Sequence, residues 1–493
     1  MSSLGAPLPQ SISIGRNLGQ LAAQKPDAPA ITCDERTLTF RELHERTNRM
    51  ARGLIARGVK LGDFVTIAMP NSIGFIEAEF ALWKVGATPQ PVSWRLPAHE
   101  LRAIIELANS PIVISANKAI DAGRPVVSPD ELLAASDDAS DLPDAIAPSW
   151  KAPTSGGSTG RPKLIVAGNP GVVAPNGGEA VLWRFGIDDT VLMPGPLYHN
   201  APFGLSAAAL HAGAHVVLMP RFDAEETLKL VQQHGATWLY LVPTMMSRIW
   251  RVPGRERYDM SSLHTIWHMA APCPPWLKEE WINWIGGEKI LELYGGTEGQ
   301  TITVIDGNEW MAHRGSVGKP LALGEMKAFS ADGTMLGPRQ TGEIYLRRDP
   351  SLPPSYRYVG AEPRTLPGGW ESLGDIGWFD EEGYLYLADR RTDMILVGGS
   401  NVYPAEIEAA LDEHPLVSSS AVIGLPDEDL GNTLHAIIHP RTGLDLDDLQ
   451  KHLAERLVTY KRPRTFEIVS EPVRDDAGKV RRTALRDARI KKS

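Results

Sequence analysis

The nine residues SGGSTGRPK, 155–163, hold the densest chemistry in the chain. Gly156, Ser158 and Gly160 satisfy G-x-S-x-G, the pattern that presents a nucleophilic serine on a strained strand-to-helix turn. The same stretch is also a hydroxyl-rich glycine loop. Gly156, Gly157 and Gly160 let backbone N–H groups approach an anion. Thr154, Ser155, Ser158 and Thr159 add hydroxyls, and Lys163 adds a cation. The flanks weigh one reading against the other. IAPSWKAPTS in front carries two prolines, and RPKLIVAGNPG behind is a β-branched run closing on Gly-Asn-Pro-Gly. A nucleophile elbow needs a strand before the serine and a helix after it. A serine hydrolase acting through Ser158 is therefore the weaker reading, and a phosphate cradle the stronger. The loop is not a Walker A sequence, because Lys163 follows proline and precedes leucine.

Four further stretches carry matching chemistry. LYGGTEGQ, 293–300, offers Tyr294 for stacking on a flat ring and Gly295 and Gly296 for close backbone approach. Thr297 and Glu298 in the same stretch are oxygen ligands suited to Mg²⁺. GWESLGDIGWFD contains Asp375, a carboxylate able to accept hydrogen bonds from a ribose diol. DDAGKVRRTAL places Lys479 beside Gly478 on a polar loop. In LYHNAPF, His199 follows a strand-like run, where α/β enzymes place their ligands. Each alone has an ordinary reading as a turn, a surface aspartate, a solvated lysine or a loop histidine. The thirteen histidines show no metal-ligand spacing.

These residues must be positioned by elements. Short β-rich runs recur: FVTIAM (64–69), PIVISA (111–116), HVVLMP (215–220), WLYLVPT (238–244) and KILELY (289–294). Helical spacings such as FIEAEFALWKVG and AEETLKLVQQHG lie between several of them. That alternation predicts α/β layers with largely parallel sheets. ASDDASDLPDAIAPSWKAP, 135–153, is acidic and aperiodic and reads as a surface connection into the glycine loop. After DRRTD the pattern becomes compact, with a helix opened by Pro404 and another carrying Leu446, Leu449, Leu453 and Leu457 on one face. The predicted organisation is a large unit over 1–390 and a small α+β unit over 391–493.

The bounds agree. A chain of 493 residues favours two or three domains. A formal charge of −10 argues against nucleic acid as a partner. Two cysteines, Cys33 and Cys273, cannot build a disulfide framework or an iron–sulfur cluster, and a reducing cytoplasm fits. No apolar run is long enough to span a membrane, and the N-terminus lacks the features of a signal peptide. A homodimer is compatible with the sequence.

Taken together and in this order, the stretches resemble the adenylate-forming, AMP-binding superfamily of acyl-CoA synthetases, luciferases and peptide-synthetase adenylation domains. MAAP (269–272), RGSVGKP (314–320), TGEIYLR (341–347) and GGSNVYPAEIE (398–408) extend the resemblance over nearly the whole chain. GPLYHNAP and GLPDEDLGNTLHAII point within it toward the bacterial bile acid-CoA ligases. The resemblance implies ATP, Mg²⁺ and coenzyme A, with a carboxylic acid first adenylated and then passed to the thiol. It implies that residues 154–163 hold the outer phosphates, that Thr297 meets the α-phosphate and that Glu298 holds the metal. Ala270, Ala271 and Pro272 with Tyr294 would frame adenine, and Asp375 and Arg390 would bind ribose. Lys479 would bridge the acid and the α-phosphate, and His199 would stand between acid pocket and thiol tunnel. A small lid domain would turn about Thr392, where the family often has Asp or Lys, and Gly398 and Gly399 would then line the tunnel. Asn200, Phe203, Met245, Met246 and Met269 would line the acid pocket. Those types predict a bulky, mostly hydrophobic monocarboxylic acid, and the likeness to bile acid-CoA ligases implies one of polycyclic, steroid or terpenoid type. A linear fatty acid, another thiol acceptor, a luciferase-type oxygenase and an enzyme of one half-reaction are the alternatives.

Overall fold

Strands covered on both faces read as unbroken apolar runs. Trp238–Leu241 is such a run, and Thr265–Met269, which carries Thr265 and His268 among its apolar residues, is likewise buried at every position. In the computed structural model they lie at the centre of a nine-stranded sheet. The structure describes residues 11–490 apart from 121, 157–161, 175–177, 391–392, 398–399, 428 and 476–477. The sheet runs in the order Lys319–Pro320, Thr303–Asp306, Ile290–Tyr294, Thr265–Met269, Trp238–Leu241, Thr190–Met193, His215–Leu218, Pro29–Cys33 and Arg36–Thr39. Its six inner strands from Ile290–Tyr294 to Pro29–Cys33 are parallel, and the strands beyond them are antiparallel. A second, four-stranded parallel sheet is built on Phe64–Ile67.

Parallel strands deliver their C-terminal ends to one edge, where open α/β sheets bind ligands. The registers Val191↔Trp238, Leu241↔His268 and Met269↔Leu293 align four such ends. From this edge leave the turn to His199, the helix Pro243–Trp250, the Ala270–Pro272 loop and the Gly295–Glu298 segment. Pro243 sits in the first helical turn, where its missing N–H removes no hydrogen bond.

The expectation of largely parallel sheets holds for these two layers and fails after Gly318. There Gly324–Phe329, Gly342–Arg348, Trp370–Phe379, Arg364–Leu366 and Leu385–Arg390 form a five-stranded antiparallel sheet. The register sets Asp375 directly opposite Arg390. A smaller antiparallel sheet joins Thr154–Gly156, Pro162–Ala167 and Tyr356–Val359. The two strands that flank the glycine loop pair as a hairpin. A strand, not a helix, follows the loop, so the elbow context for Ser158 is missing.

The acidic segment 135–153 has no regular structure yet is firmly held. Asp137 and Asp138 pair with Arg49 and Arg52 on the helix Phe40–Ala56, and Asp141 hydrogen-bonds His44 there. Ala147 and Ala152 are buried, and Trp150 packs beside Phe203. Its first half is the expected surface connection, and its second half is core.

From Ile395 onward a separate buried cluster gathers Val402, Ile407, Leu411, Val422, Leu434 and Leu453. Two helices, Pro404–Glu413 and Leu446–Arg456, pack on the strands Val417–Asp427, Gly431–Pro440 and Thr465–Ile468. Leu449 and Leu453 face inward as the spacing predicts. Among the described residues no helix is long and apolar enough to cross a membrane.

Candidate active site

Three polar groupings meet at the C-terminal edge of the main sheet. The first joins the glycine hairpin to the Gly295–Glu298 segment. Glu298 is 7% exposed, and its Oε1 accepts a hydrogen bond from the Tyr358 hydroxyl at 2.5 Å. Lys163 Nζ lies 3.7 Å from the same oxygen and 3.8 Å from the centre of the Tyr358 ring. Burial, followed by the charge of Glu298, pushes the Tyr358 hydroxyl upward, so it stays protonated and donates. Tyr356 and Gln300 both donate to Glu371, at 2.6 and 2.7 Å, and tie this sheet to the segment after Glu298. Thr154 is already engaged, accepting from Gln90 Nε2 at 2.8 Å. Thr297 is half-buried beside Glu298.

The second grouping lies between Tyr294 and the antiparallel sheet. The Tyr294 hydroxyl donates to Asp375 Oδ2 at 2.7 Å. Asp375 is 9% exposed, with Arg390 as its cross-strand neighbour. Gly295 and Gly296 are close approaches: a Cβ would stand 2.7 Å from Ile302 Cγ2 and 2.6 Å from Leu373 Cδ1, respectively. Across from Tyr294, Ala270 has φ of +75°, a left-handed conformation that an alanine adopts only at a cost. Ala270 and Pro272 are exposed and Ala271 is half-buried, leaving the loop rim open to a ligand.

The third grouping is His199 and Lys479. His199 caps the helix Asn200–His211, stacks obliquely on Tyr198 and has a buried Nε2 with no hydrogen-bond partner among the described residues. Burial, then the charge of Lys479, holds the imidazole down at about 3, so it is neutral at physiological pH. The Lys479 loop reaches this edge because Gly478, at φ +75°, fits against Thr244 of the helix Pro243–Trp250. Asn200 accepts from Lys151 beside His199.

Three expected pocket residues lie deeper. Phe203 and Met246 have no exposed surface and Met245 has almost none. They are sealed in the core, with Phe203 against Phe75, Trp83 and Trp150, and they back the site without facing an opening. Met269 is buried behind Ala270. Ser158, Gly157, Thr159, Gly160, Thr392, Gly398 and Gly399 lie outside the described residues. So do the side chain of Ser155 and that of Arg390, while Gly156 is described as the end of its strand.

The structure adds residues that no motif flagged. Lys278 and Glu292 form a fully buried ion pair at 2.5 Å, with His268 4.0 Å from Glu292. The pair links the helix Pro275–Ile285 to the strand ending at Tyr294, on either side of the adenine-loop candidates. Tyr358 was equally silent, because a tyrosine alternating in a strand carries no spacing signal, and Gln300 and Glu371 lie within the quoted LYGGTEGQ and GWESLGDIGWFD without being singled out there.

Residues 19–356 match the AMP-binding enzyme family, and residues 406–479 match the AMP-binding enzyme C-terminal domain. The chain belongs to the AMP-binding enzyme family. It is 32% identical over 478 residues to a feruloyl-CoA synthase of Amycolatopsis sp, covering 94% of this chain and 96% of the relative. It is 29% identical to a fatty acid–[acyl-carrier-protein] ligase of Streptomyces coeruleorubidus, covering 94% of each. The structure of an o-succinylbenzoate CoA synthetase from Bacillus subtilis, solved with its acyl-adenylate intermediate, superposes with a TM-score of 0.82. That match is 27% identical and covers 97% of this chain and 99% of the other. The fold is that of an adenylate-forming enzyme, and the chain is an AMP-forming acid–thiol ligase by family.

Proposed function

We propose that this protein activates a carboxylic acid with ATP and passes the acyl group to coenzyme A. The convergence of Lys479, neutral His199 and Thr297–Glu298 on one sheet edge carries the reading. A carboxylate oxygen of the acid attacks the α-phosphorus of ATP, the α–β bridging P–O bond breaks and pyrophosphate leaves. The acyl-adenylate is then attacked at its carbonyl carbon by the thiol sulfur. The thiol proton passes to solvent and AMP departs.

No side chain becomes covalently attached in either step. The work is placement and charge stabilisation. Lys479 neutralises charge moving onto the α-phosphate, and its loop is fixed by Gly478 against Thr244. Lys163 and the glycine loop hold the outer phosphates. Tyr294 and Asp375, bonded to one another, frame the nucleoside. His199, neutral and wedged against Tyr198, walls the acid from the thiol.

Among the described residues no group of three or more His, Cys, Asp or Glu gathers as a metal cage. One carboxylate suits Mg²⁺, which takes other ligands from substrate phosphates and water. Glu298 fits that role, and the ion would supply charge neutralisation at the phosphates. Residues 1–390 form the nucleotide-binding body and 391–493 the lid, hinged near Thr392.

For the acid, a bulky, mostly apolar monocarboxylic acid of polycyclic type is the reading. The support for the polycyclic class is the likeness of GPLYHNAP and GLPDEDLGNTLHAII to bile acid-CoA ligases; on the helix Asn200–His211 Trp150 approaches Gly204, and Phe203, Met245 and Met246 back the site. A phosphopantetheine-bearing carrier protein is the alternative acceptor, favoured by the carrier-protein ligase among the relatives. Purified protein with ATP, Mg²⁺ and acids from acetate through fatty and aryl acids to bile-type acids tests this, with and without CoA. Acid-dependent pyrophosphate and a CoA thioester are expected. Pyrophosphate without thioester would remove CoA as acceptor, and preference for short or linear acids would overturn the substrate class.

A further inference from the structure

Arg251 follows the helix Pro243–Trp250 and reaches across to the C-terminal unit. Its Nη1 donates to the Val417 carbonyl at 2.8 Å and its Nη2 to the Asp412 carbonyl at 2.7 Å. Asp412 lies in the last turn of the helix Pro404–Glu413, whose terminal carbonyls lack intrahelical donors. A guanidinium there satisfies one of them, that of Asp412, and meets the negative end of the helix. The opposite end of the same helix Pro243–Trp250 carries Thr244, against which Gly478 rests, and Lys479 follows. One helix of the body therefore touches the lid at both of its ends. Another charged contact across the two units, Arg481 with Glu100, is long at 3.4 Å and solvent-exposed, and exposed pairs hold little.

We propose that Arg251 is a latch: a positioning residue that seats the lid on the helix Pro243–Trp250 so that Lys479 stands at His199. The inference rests on the ligase reading for its kinetic consequence. Lys479 is needed when charge shifts onto the α-phosphate, so the latch serves adenylation. Thiol attack on a ready-made acyl-adenylate does not need it. Losing two hydrogen bonds of ordinary net strength corresponds to a shift of about ten- to a hundredfold in lid seating.

The test uses the full-length protein and the variants Arg251→Ala and Arg251→Lys, with Arg257→Ala as control. Arg257 pairs only with neighbours on the body's surface. Two reactions are measured: acid-dependent pyrophosphate release, and thioester formation from supplied acyl-adenylate plus CoA. Arg251→Ala should slow the first about ten- to a hundredfold and the second less than about twofold. Arg251→Lys, which can reach one carbonyl, should fall between. An equal loss in both reactions, or no loss, overturns the latch. Hydrogen exchange over residues 410–418 reads the contact without turnover. Faster exchange in Arg251→Ala at unchanged melting temperature supports the latch, and unchanged exchange overturns it even if wild-type protein releases no pyrophosphate, an outcome that would sink the ligase reading instead.

Discussion

Replacing Lys278 by methionine would leave a carboxylate buried without its cation. Lys278 has no exposed surface, Glu292 is 5% exposed, and their charged atoms are 2.5 Å apart. Methionine keeps most of the side-chain length and its packing on Trp310 while removing the ammonium. Breaking a buried pair from one side typically costs about 3–5 kcal/mol, because the stranded charge keeps its desolvation penalty. Replacing both partners with apolar residues removes that penalty along with the attraction. The double variant Lys278→Met/Glu292→Leu should therefore be markedly more stable than the single one, within about 2 kcal/mol of the parent. Urea titrations of parent, both single variants and the double variant close the cycle. A single-variant cost below about 1 kcal/mol, or additive costs, would refute the claim that the pair is dry and coupled. Because the pair flanks the Ala270–Pro272 loop, the double variant should also bind ATP more weakly while remaining folded.

Lys479→Ala should slow pyrophosphate release roughly 10²–10³-fold, by analogy with the loss of one oxyanion donor, and affect thioester formation from acyl-adenylate much less. Equal loss in both assays would place Lys479 elsewhere in the mechanism. Tyr294→Phe removes the donor that orients Asp375 and should raise KM for ATP about tenfold with the acid KM unchanged; titration of ATP at saturating acid checks it. His268 is fully buried, and burial followed by the charge of Lys278 holds it neutral well below the usual histidine range. Its folded pKa is depressed, so it has no effect on stability above about pH 6.5 and makes unfolding easier as pH falls below that, where only the unfolded chain takes the proton. His268→Leu should flatten the acid limb of a stability–pH curve by up to about 1.4 kcal/mol per pH unit, and an unchanged limb would remove His268 from the account.

Much of the site was legible before folding because its chemistry is local. The glycine loop proposed for phosphates, Tyr-Gly-Gly-Thr-Glu and the Gly-Lys turn each gather their candidate groups in adjacent residues, and close backbone approach to an anion favours glycine. The parallel core was equally readable, since strands covered on both faces are mostly apolar. The antiparallel sheet around Asp375 was not, because half-exposed alternating strands interrupted by glycines leave a weak pattern. The acid pocket misled for a related reason. Methionine and phenylalanine look alike in sequence whether they line an opening or seal the core, and only packing separates Phe203 against Trp83 from a residue facing substrate.

By itself, then, the sequence determined the class of chemistry, the candidate nucleotide-binding stretches and the alternation of strands and helices that predicts a parallel core. Tertiary structure decided which residues hold those groups in place. Tyr358 on Glu298, Lys278 under the Ala270 loop, Ala270 in a left-handed conformation and Arg251 on the lid join residues far apart in the chain. Their meaning comes from burial and from distances of a few ångströms. Neither is encoded in any short stretch, because both are set by how whole layers pack.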